Sequence, residues 1–218
     1  MIMKKGFNSL VLTMLLGFVL AFSGCKTEEK HVLITTEYGD IEIMLYNSTP
    51  QHRDNFVKLV ESGFYDSLLF HRVIDGFMIQ GGDPTSKNSP AGEMLGMGGP
   101  GYEVPAEIGS PHLRGAVAAA RSASPDKRSS GSQFYIVTGV KLTEAELNYY
   151  EKNKNIKYNE AQRKIYMEEG GTPSLDKEYT VFGEVVSGME TVDKIVKEPK
   201  NEKDRPFKDI RMKMKMIK

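Results

Sequence analysis

The chain has 218 residues, and its 29 lysines and arginines balance 29 aspartates and glutamates, so the formal net charge is zero. Such a balance gives no indication of nucleic-acid binding, which needs a basic face. The length suits one well-buried domain, and the single cysteine excludes an internal disulfide.

The N-terminus has the pattern of a secretion signal that ends at the only cysteine. Lys4 and Lys5 precede an uncharged stretch at 10–22, which is followed by Ser23, Gly24 and Cys25. This stretch suits a signal peptide, whose apolar region has about 7 to 15 residues, and is too short to span a bilayer. Cys25 stands where a lipobox places the residue that is lipidated. We therefore expect a lipoprotein signal peptide at 1–24.

The same pattern predicts where the protein works. A lipid on Cys25 would anchor the chain to a membrane of the bacterial cell envelope, on the periplasmic face or at the cell surface. Residues 25–30 are short and polar and would form a tether. An ordinary cleaved signal with a chance cysteine is the alternative.

The next elements are a β-hairpin and a helix. Two β-prone runs at 32–36 and 41–46 are separated by a turn-rich spacer of hairpin length. A helix is then expected to begin at Ser48-Thr49-Pro50, with a cap followed by proline in the first turn. Its apolar face and its glycine stop are predicted at Phe56, Leu59, Val60 and Gly63.

The run FHRVIDGFMIQGGD at 70–83 places one permanent cation among apolar and aromatic residues of a strand-like pattern. Arginine carries five fixed donors and keeps its proton, so a half-buried Arg72 needs an acceptor from the protein or a substrate. With Gln80, the run predicts a shallow apolar pocket with two polar groups at its rim. A structural ion pair of Arg72 with Glu103 or Asp83 is the alternative.

Residues 139–174 predict a helical hairpin packed on the barrel beside the site, with the helical insert at about 141–172. Two capping patterns support it, Thr143 with Glu146 and Asn159 with Gln162, and Gly170-Gly171 is a stop. Apolar pairs with helical spacing are Leu147 with Tyr150 and Ala161 with Ile165. An insert that merely decorates the fold is the alternative.

The C-terminal part predicts a short helix at 189–196 and a strand. From Ile210 to Met216 apolar residues alternate with mostly cationic ones, so one face of this strand should be buried. Many strands, two helices and glycine-rich connections indicate a mostly β domain at 31–218.

Three ordered segments, FHRVIDGFMIQGGD at 70–83, GSQFYIVT at 131–138 and VFGEVV at 181–186, together resemble the cyclophilins. The resemblance covers about residues 31–216, interrupted by the insert. It implies a closed eight-stranded antiparallel barrel capped by two helices, with the helical hairpin as an addition. It also implies a peptidyl-prolyl cis-trans isomerase that needs no cofactor, works as a monomer and acts on proline-containing unfolded or maturing proteins.

The resemblance also implies roles for ten residues. Arg72 would be the catalytic donor to the prolyl nitrogen, and Gln80 would orient it. Substrate binding would fall to the proline pocket of Phe77, Met78, Tyr135 and Leu175, to the backbone contacts of Ala120, Arg121 and Gln133, and to the hydroxyl of Tyr179.

Several positions depart from the vertebrate-type pattern. Ser174 stands where those members have tryptophan, Tyr179 where they have histidine, Arg121 where they have asparagine and Ala119 where they have methionine. The asparagine change is shared by other bacterial members. Arg72 is kept, so activity is expected, while binding of the drug cyclosporin A should be weak.

Other motifs carry no chemistry. The glycine-rich stretch at 96–101 lacks the Lys-Ser/Thr of a P-loop. His31, His52, His71 and His112 have no paired spacing, so no metal site is expected, and His71 is interpreted as a satisfied core histidine. The alternative function is a holdase with weak isomerase activity, against which the presence of Arg72 with Gln80 argues.

Overall fold

A computed structural model describes residues 28–218 as a mostly β domain with ten strands and four α-helices. The strands are β1 (Lys30–Thr36), β2 (Gly39–Leu45), β3 (Phe70–Ile74), β4 (Met78–Gly81), β5 (Glu103–Val104), β6 (Ala116–Ala119), β7 (Ser129–Ser130), β8 (Phe134–Val137), β9 (Val181–Ser187) and β10 (Lys213–Met216). The helices are α1 (Pro50–Glu61), α2 (Glu144–Lys154), α3 (Glu160–Glu168) and α4 (Met189–Val196).

Eight strands form one antiparallel sheet in the order β10-β1-β2-β9-β6-β8-β4-β3. The sheet is strongly curled, but β3 and β10 are its two edges and do not pair with each other, so the closed barrel expected from sequence is wrong. The start of β3 meets the segment before β10, where the Phe70 amide donates to the Ile210 carbonyl and the Met212 amide donates to the Leu68 carbonyl. The barrel therefore stays open along its edge strands.

The hairpin β1–β2 and the strand β10 confirm the sequence interpretation of both chain regions. Val32 and Ile34 of β1 are fully buried, and they pair with Met216 and Met214 of β10. Burial also alternates before β10, since Ile210 and Met212 are buried while Arg211 is exposed. These strands could be predicted because apolar and polar residues alternate along them, and successive strand residues point to opposite faces of a sheet.

Helices α1 and α4 supply apolar side chains to the main core, as the two predicted caps should. The helix α1 begins after Thr49, but the Thr49 side chain makes no capping bond and instead donates to the Tyr46 carbonyl. The cap comes from far along the chain, because the carboxylate of Glu107 accepts from the backbone amides of Gln51 and His52. The positive end of the helix dipole also stabilises a carboxylate at this position.

An aromatic cluster fills the centre of the curled sheet. Phe134 of β8 meets Phe56, Tyr65 and Phe70 at ring centroid distances of 5.5, 5.8 and 6.1 Å, and all three pairs are edge-on. Edge-on pairs suit the charge distribution of aromatic rings. The cluster fixes β8 against α1 and β3, and so holds the strands that carry the candidate site.

The insert forms the predicted helical hairpin, and both capping boxes are present, at Thr143 with Glu146 and at Asn159 with Gln162. Leu147 is buried as expected. The apolar face expected for α3 is wrong, because Ala161 is exposed and the buried residue of this helix is Tyr166.

None of the helices within residues 28–218 is both long enough and apolar enough to cross a membrane. The signal peptide predicted at 1–24, the expected lipidation site Cys25 and most of the predicted tether lie outside these residues.

Candidate active site

The β3–β4 hairpin places Arg72 directly opposite Gln80. Directly paired residues of antiparallel strands present their side chains to the same face, where they lie close together. Here the Arg72 Nη1 is 3.4 Å from the Gln80 Oε1, at the long end of a hydrogen bond. The eight-residue spacing in the sequence therefore corresponds to a contact across one hairpin.

Within residues 28–218, the Arg72 guanidinium makes one long ion pair, with Asp204. Its side chain is 42% exposed, and its Nε lies 3.8 Å from the Asp204 Oδ2. The partners considered from sequence are engaged elsewhere, because Asp83 accepts from Thr85 and the backbone amides of the glycine-rich loop, and Glu103 pairs with Arg128. Arg72 keeps donors free for a group that enters from solvent.

Gln80 is held in turn by Gln133. The Gln80 Nε2 donates to the Gln133 Oε1 at 3.0 Å, and the Gln133 Nε2 donates to the carbonyls of Gly96 and Gly98. This chain of amides fixes which end of Gln80 faces Arg72, so the oxygen is presented to the guanidinium. Gln133 thus lies behind the rim, and it lines the cleft that runs under the glycine-rich loop.

A cavity of about 170 Å³ with both polar and apolar walls opens beside Arg72 and Gln80. It is lined by all the predicted site residues except Gln133, namely Arg72, Phe77, Met78, Gln80, Ala120, Arg121, Tyr135, Leu175 and Tyr179. An apolar cavity of about 150 Å³ can hold benzene, so this one can accept a five-membered ring. The cleft under the glycine-rich loop continues from it and shares Gln80, Ala120 and Arg121.

One wall of the cavity is held by stacked side chains. The Arg121 guanidinium lies over the Tyr179 ring, 4.7 Å from its centroid, and its Nε donates to the Glu178 carbonyl. The Tyr179 ring packs edge-on against Tyr135 at 6.0 Å. Cation–π and edge-on contacts of this kind hold the rings in one orientation. The Arg121 donors are therefore largely used within the protein.

Sequence reasoning missed two buried residues behind this wall. Asp176 accepts from the Nδ1 of His112 at 2.8 Å, and the Nε2 of His112 is 3.0 Å from the Tyr135 hydroxyl. His112 is 0% exposed and Asp176 is 2% exposed. No sequence signal could have found them, because the burial of Asp176 and its pairing with a histidine 64 positions away appear only in the fold.

His71, beside Arg72, is buried as expected but is not satisfied. Neither ring nitrogen makes a hydrogen bond within residues 28–218. Burial lowers the pKa of His71 to about 4, although the charge of Asp83 opposes the shift. His71 is therefore neutral at physiological pH. The interpretation as a satisfied core histidine is corrected in that respect.

Within residues 28–218 no cluster of histidine, cysteine, aspartate or glutamate side chains could hold a metal ion. The candidate site thus consists of a cavity with one apolar wall, an exposed guanidinium and a set of fixed amides. These groups can bind and polarise, and the cavity itself presents no nucleophile such as serine or cysteine.

Comparison with known proteins agrees with this geometry. Residues 31–216 match the family profile described as cyclophilin type peptidyl-prolyl cis-trans isomerase/CLD. A Staphylococcus aureus protein provisionally named a peptidyl-prolyl cis-trans isomerase is 34% identical over 183 residues, which are 84% of this chain and 88% of that protein. A Staphylococcus haemolyticus protein with the same provisional name is 34% identical over 186 residues, 85% of this chain and 89% of its own.

Solved structures lead to the same family. The crystal structure of a Cryptosporidium parvum cyclophilin type isomerase superposes with a TM-score of 0.65 at 28% identity, and covers 88% of this chain and 99% of its own. A second crystal structure of that protein, in the presence of the dipeptide Ala-Pro, gives a TM-score of 0.63 over 86% of this chain and 99% of its own. The chain therefore belongs to the cyclophilin-type peptidyl-prolyl cis-trans isomerases.

Proposed function

We propose that the cavity beside Arg72 binds the proline of an X-Pro bond in a polypeptide and that Arg72 accelerates rotation about this bond. One observation carries the proposal, the exposed guanidinium beside a cavity that is large enough for a five-membered ring and has an apolar wall. The Cryptosporidium parvum relative crystallised in the presence of Ala-Pro supports proline-containing substrates.

The chemistry of the reaction fits this set of groups. Rotation about an X-Pro bond must break amide resonance, with a barrier of about 20 kcal/mol. As the bond twists, the prolyl nitrogen becomes pyramidal and gains a lone pair. A donor placed there binds the twisted state better than either planar isomer, and this difference lowers the barrier. The rotation itself consumes no proton, electron or cofactor.

Each predicted residue has a part in this proposal. The apolar wall of Phe77, Met78, Tyr135 and Leu175 excludes water from the proline ring. Gln80 orients Arg72 through the 3.4 Å contact. The polypeptide on either side of the proline would lie along Ala120, Arg121 and Gln133 and under the glycine-rich loop, with Tyr179 donating at the far rim.

The direct test is a protease-coupled assay of X-Pro isomerisation with the purified protein and a tetrapeptide that contains one X-Pro bond. Acceleration that is proportional to protein concentration supports the proposal. Binding of unfolded chains without any acceleration would instead indicate the holdase that sequence reasoning left as the alternative.

The place of action is a further part of the proposal. We propose that the protein assists folding of unfolded or maturing proteins in the bacterial envelope, anchored by a lipid on Cys25. The support is the sequence alone, where an uncharged stretch of signal-peptide length ends at Ser23-Gly24-Cys25. Without residues 1–24, acidic residues exceed basic ones by two, because that segment holds Lys4 and Lys5 and no acid.

Replacing Cys25 with serine is expected to abolish fatty-acid labelling and to move the protein from the membrane fraction to the soluble fraction. The reason is that Cys25 is the only thiol in the chain. The measurement is metabolic labelling with a radioactive or clickable fatty acid, followed by membrane fractionation. Label in the serine variant would contradict the lipoprotein assignment, and Ser23→Cys with Cys25→Ser tests whether position as well as thiol matters.

Cyclosporin A is expected to inhibit this protein weakly, and Ser174→Trp should tighten inhibition by about tenfold or more while leaving turnover nearly unchanged. Ser174 is exposed and lines a groove of about 580 Å³ beside α2, next to the cavity of Arg72 but not part of its lining. An indole there would add a large apolar contact and an N–H donor, which a serine hydroxyl cannot replace. The measurement is the inhibition constant in the isomerisation assay.

The insert itself could block the drug, so a control variant must open the groove. Deleting residues 142–171 is unsuitable, because it would remove Tyr158 and Tyr166 from the buried Asp176. Tyr149→Ala is better, since Tyr149 lines the groove and is 63% exposed. Tight inhibition of the unmodified protein would refute the prediction that serine in place of tryptophan at position 174 weakens drug binding.

A further inference from the structure

A buried hydrogen-bond network joins the helical insert to the wall of the cavity. The hydroxyls of Tyr158 and Tyr166 donate to the Asp176 Oδ2 at 2.5 and 2.8 Å. The other carboxylate oxygen accepts from the backbone amide and the Nδ1 of His112, and the Nε2 of His112 meets the Tyr135 hydroxyl. These five residues are the Asp176 network, and it runs from α3 to the cavity.

The direction of each bond follows from the chemistry of its partners. A carboxylate only accepts, so the Nδ1 of His112 carries the proton; in the neutral ring the Nε2 then accepts from Tyr135. Burial raises the pKa of all three tyrosine hydroxyls, and the charge of Asp176 adds to the effect at Tyr158 and Tyr166. The hydroxyls therefore remain protonated donors.

Burial makes the network sensitive to the loss of any member. Tyr166 and His112 are 0% exposed, Asp176 is 2%, and Tyr158 and Tyr135 are 4% and 5%. In such an environment a carboxylate oxygen without a donor is costly, and water cannot easily replace the missing bond. The two insert tyrosines thus help to determine the position of the Asp176 carboxylate. Because His112 donates to this carboxylate, they also help to determine the position of the His112 ring.

The backbone is adapted to this contact. A Cβ atom at Gly171 would lie 2.4 Å from the Tyr166 Cε1, so only glycine lets Tyr166 approach. The amide of the next residue, Thr172, donates to the His112 carbonyl at 2.8 Å. The end of the insert is therefore tied to His112 by the backbone as well as through Asp176.

We propose that Tyr158 and Tyr166 are positioning residues of the isomerase site, which hold the Tyr135 wall of the cavity in place through Asp176 and His112. Tyr135 is anchored at its hydroxyl by His112, while its ring packs against Tyr179 and lines the cavity. The inference rests on the proposed function of that cavity. On this proposal, the insert contributes to substrate binding by positioning Tyr135.

The test replaces Tyr158 and Tyr166 with phenylalanine, singly and together, which keeps the packed rings and removes only the hydroxyls. We expect KM for an X-Pro tetrapeptide to rise about three- to tenfold while kcat changes little, the scale of one to two lost hydrogen bonds. The Kd of a non-cleaved X-Pro peptide, measured by calorimetry, should rise by the same factor. Thermal unfolding shows whether each variant is folded. If the double variant is unfolded, the two single variants provide the test.

A double-mutant cycle with Tyr135→Phe separates positioning from general support. If the insert acts through Tyr135, then Tyr166→Phe should leave KM unchanged in the Tyr135→Phe background, because the link from His112 is already cut. The matched control is Tyr150→Phe, the same change in a partly buried insert tyrosine outside the network. It should leave KM and kcat at their original values.

The outcomes distinguish the two proposals. An unmodified protein that does not accelerate isomerisation overturns the proposed function, and the inference with it. An active protein whose phenylalanine variants unfold at lower temperature but keep KM overturns the inference alone. Additive effects of Tyr166→Phe and Tyr135→Phe overturn it as well, since they would show that the insert does not act through Tyr135.

Discussion

Replacing Arg72 with alanine is expected to lower kcat/KM for X-Pro isomerisation by two to three orders of magnitude, which is about 3–4 kcal/mol of transition-state stabilisation. The guanidinium is needed mainly when the prolyl nitrogen becomes pyramidal, so most of the loss should appear in kcat. Stability should change little, because the side chain is 42% exposed and its ion pair with Asp204 is long, at 3.8 Å.

Arg211→Ala is a matched control, because its side chain has a similar exposure of 45% and lies outside the cavity. It should retain full activity. Arg72→Lys is informative as well, since it keeps the charge and loses the planar fork of donors, and we expect intermediate activity. A folded Arg72→Ala protein with half of the original activity would show that the proposed mechanism is wrong.

The free energy of unfolding is expected to fall by about 3 kcal/mol between pH 7 and pH 4 because of His71 alone. Burial lowers the pKa of His71 to about 4 in the folded protein, against about 6.5 in an unfolded chain. Between these values the unfolded state binds more protons. The contribution of His71 to stability is therefore present above pH 6.5 and is lost as the pH falls towards 4.

Urea unfolding of the original protein and of His71→Leu at several pH values measures this contribution. Leucine suits the site, because the His71 ring is 3% exposed and its nitrogens make no hydrogen bonds within residues 28–218. Carboxylates also titrate in this range, so only the difference between the two proteins isolates His71. If the free energy of unfolding depends on pH in the same way in both proteins, His71 does not make the predicted contribution.

Local patterns predicted most of the elements. The helix α4 has the predicted bounds of Met189–Val196, both capping boxes of the insert are formed, and the alternation before β10 is observed. These features depend on neighbours in sequence, so they are visible in sequence. The cap of α1 by Glu107 is different, because it joins groups more than fifty residues apart.

The state of the barrel could not be derived from such patterns. Whether an eight-stranded sheet closes depends on strand stagger and tilt, which are properties of the whole sheet and not of any strand. The face of α3 was misjudged for a related reason. Apolar spacing favoured Ala161 and Ile165, whereas the buried residue is Tyr166, whose hydroxyl has its partner on Asp176.

For the candidate site, the motifs predicted residues that the fold brings together around one cavity, but they did not predict the groups that hold those residues in place. The cavity gathers Arg72, Gln80 and the predicted apolar wall. Asp204, which lies beside Arg72, and His112, which holds Tyr135, come from distant parts of the chain. No spacing rule connects them, so only the folded arrangement shows which groups orient the site.

The pairing of β1 with β10 also determines the order in which the protein can assemble. Val32 and Ile34 pair with Met216 and Met214, so one side of β1 has no partner until the last strand of the sheet has been synthesised. Contacts between residues so far apart in sequence slow folding. Until β10 arrives, β1 is an open edge that other chains can join. The first strand of the sheet therefore stays exposed to association with other chains for as long as the rest of this chain is being synthesised.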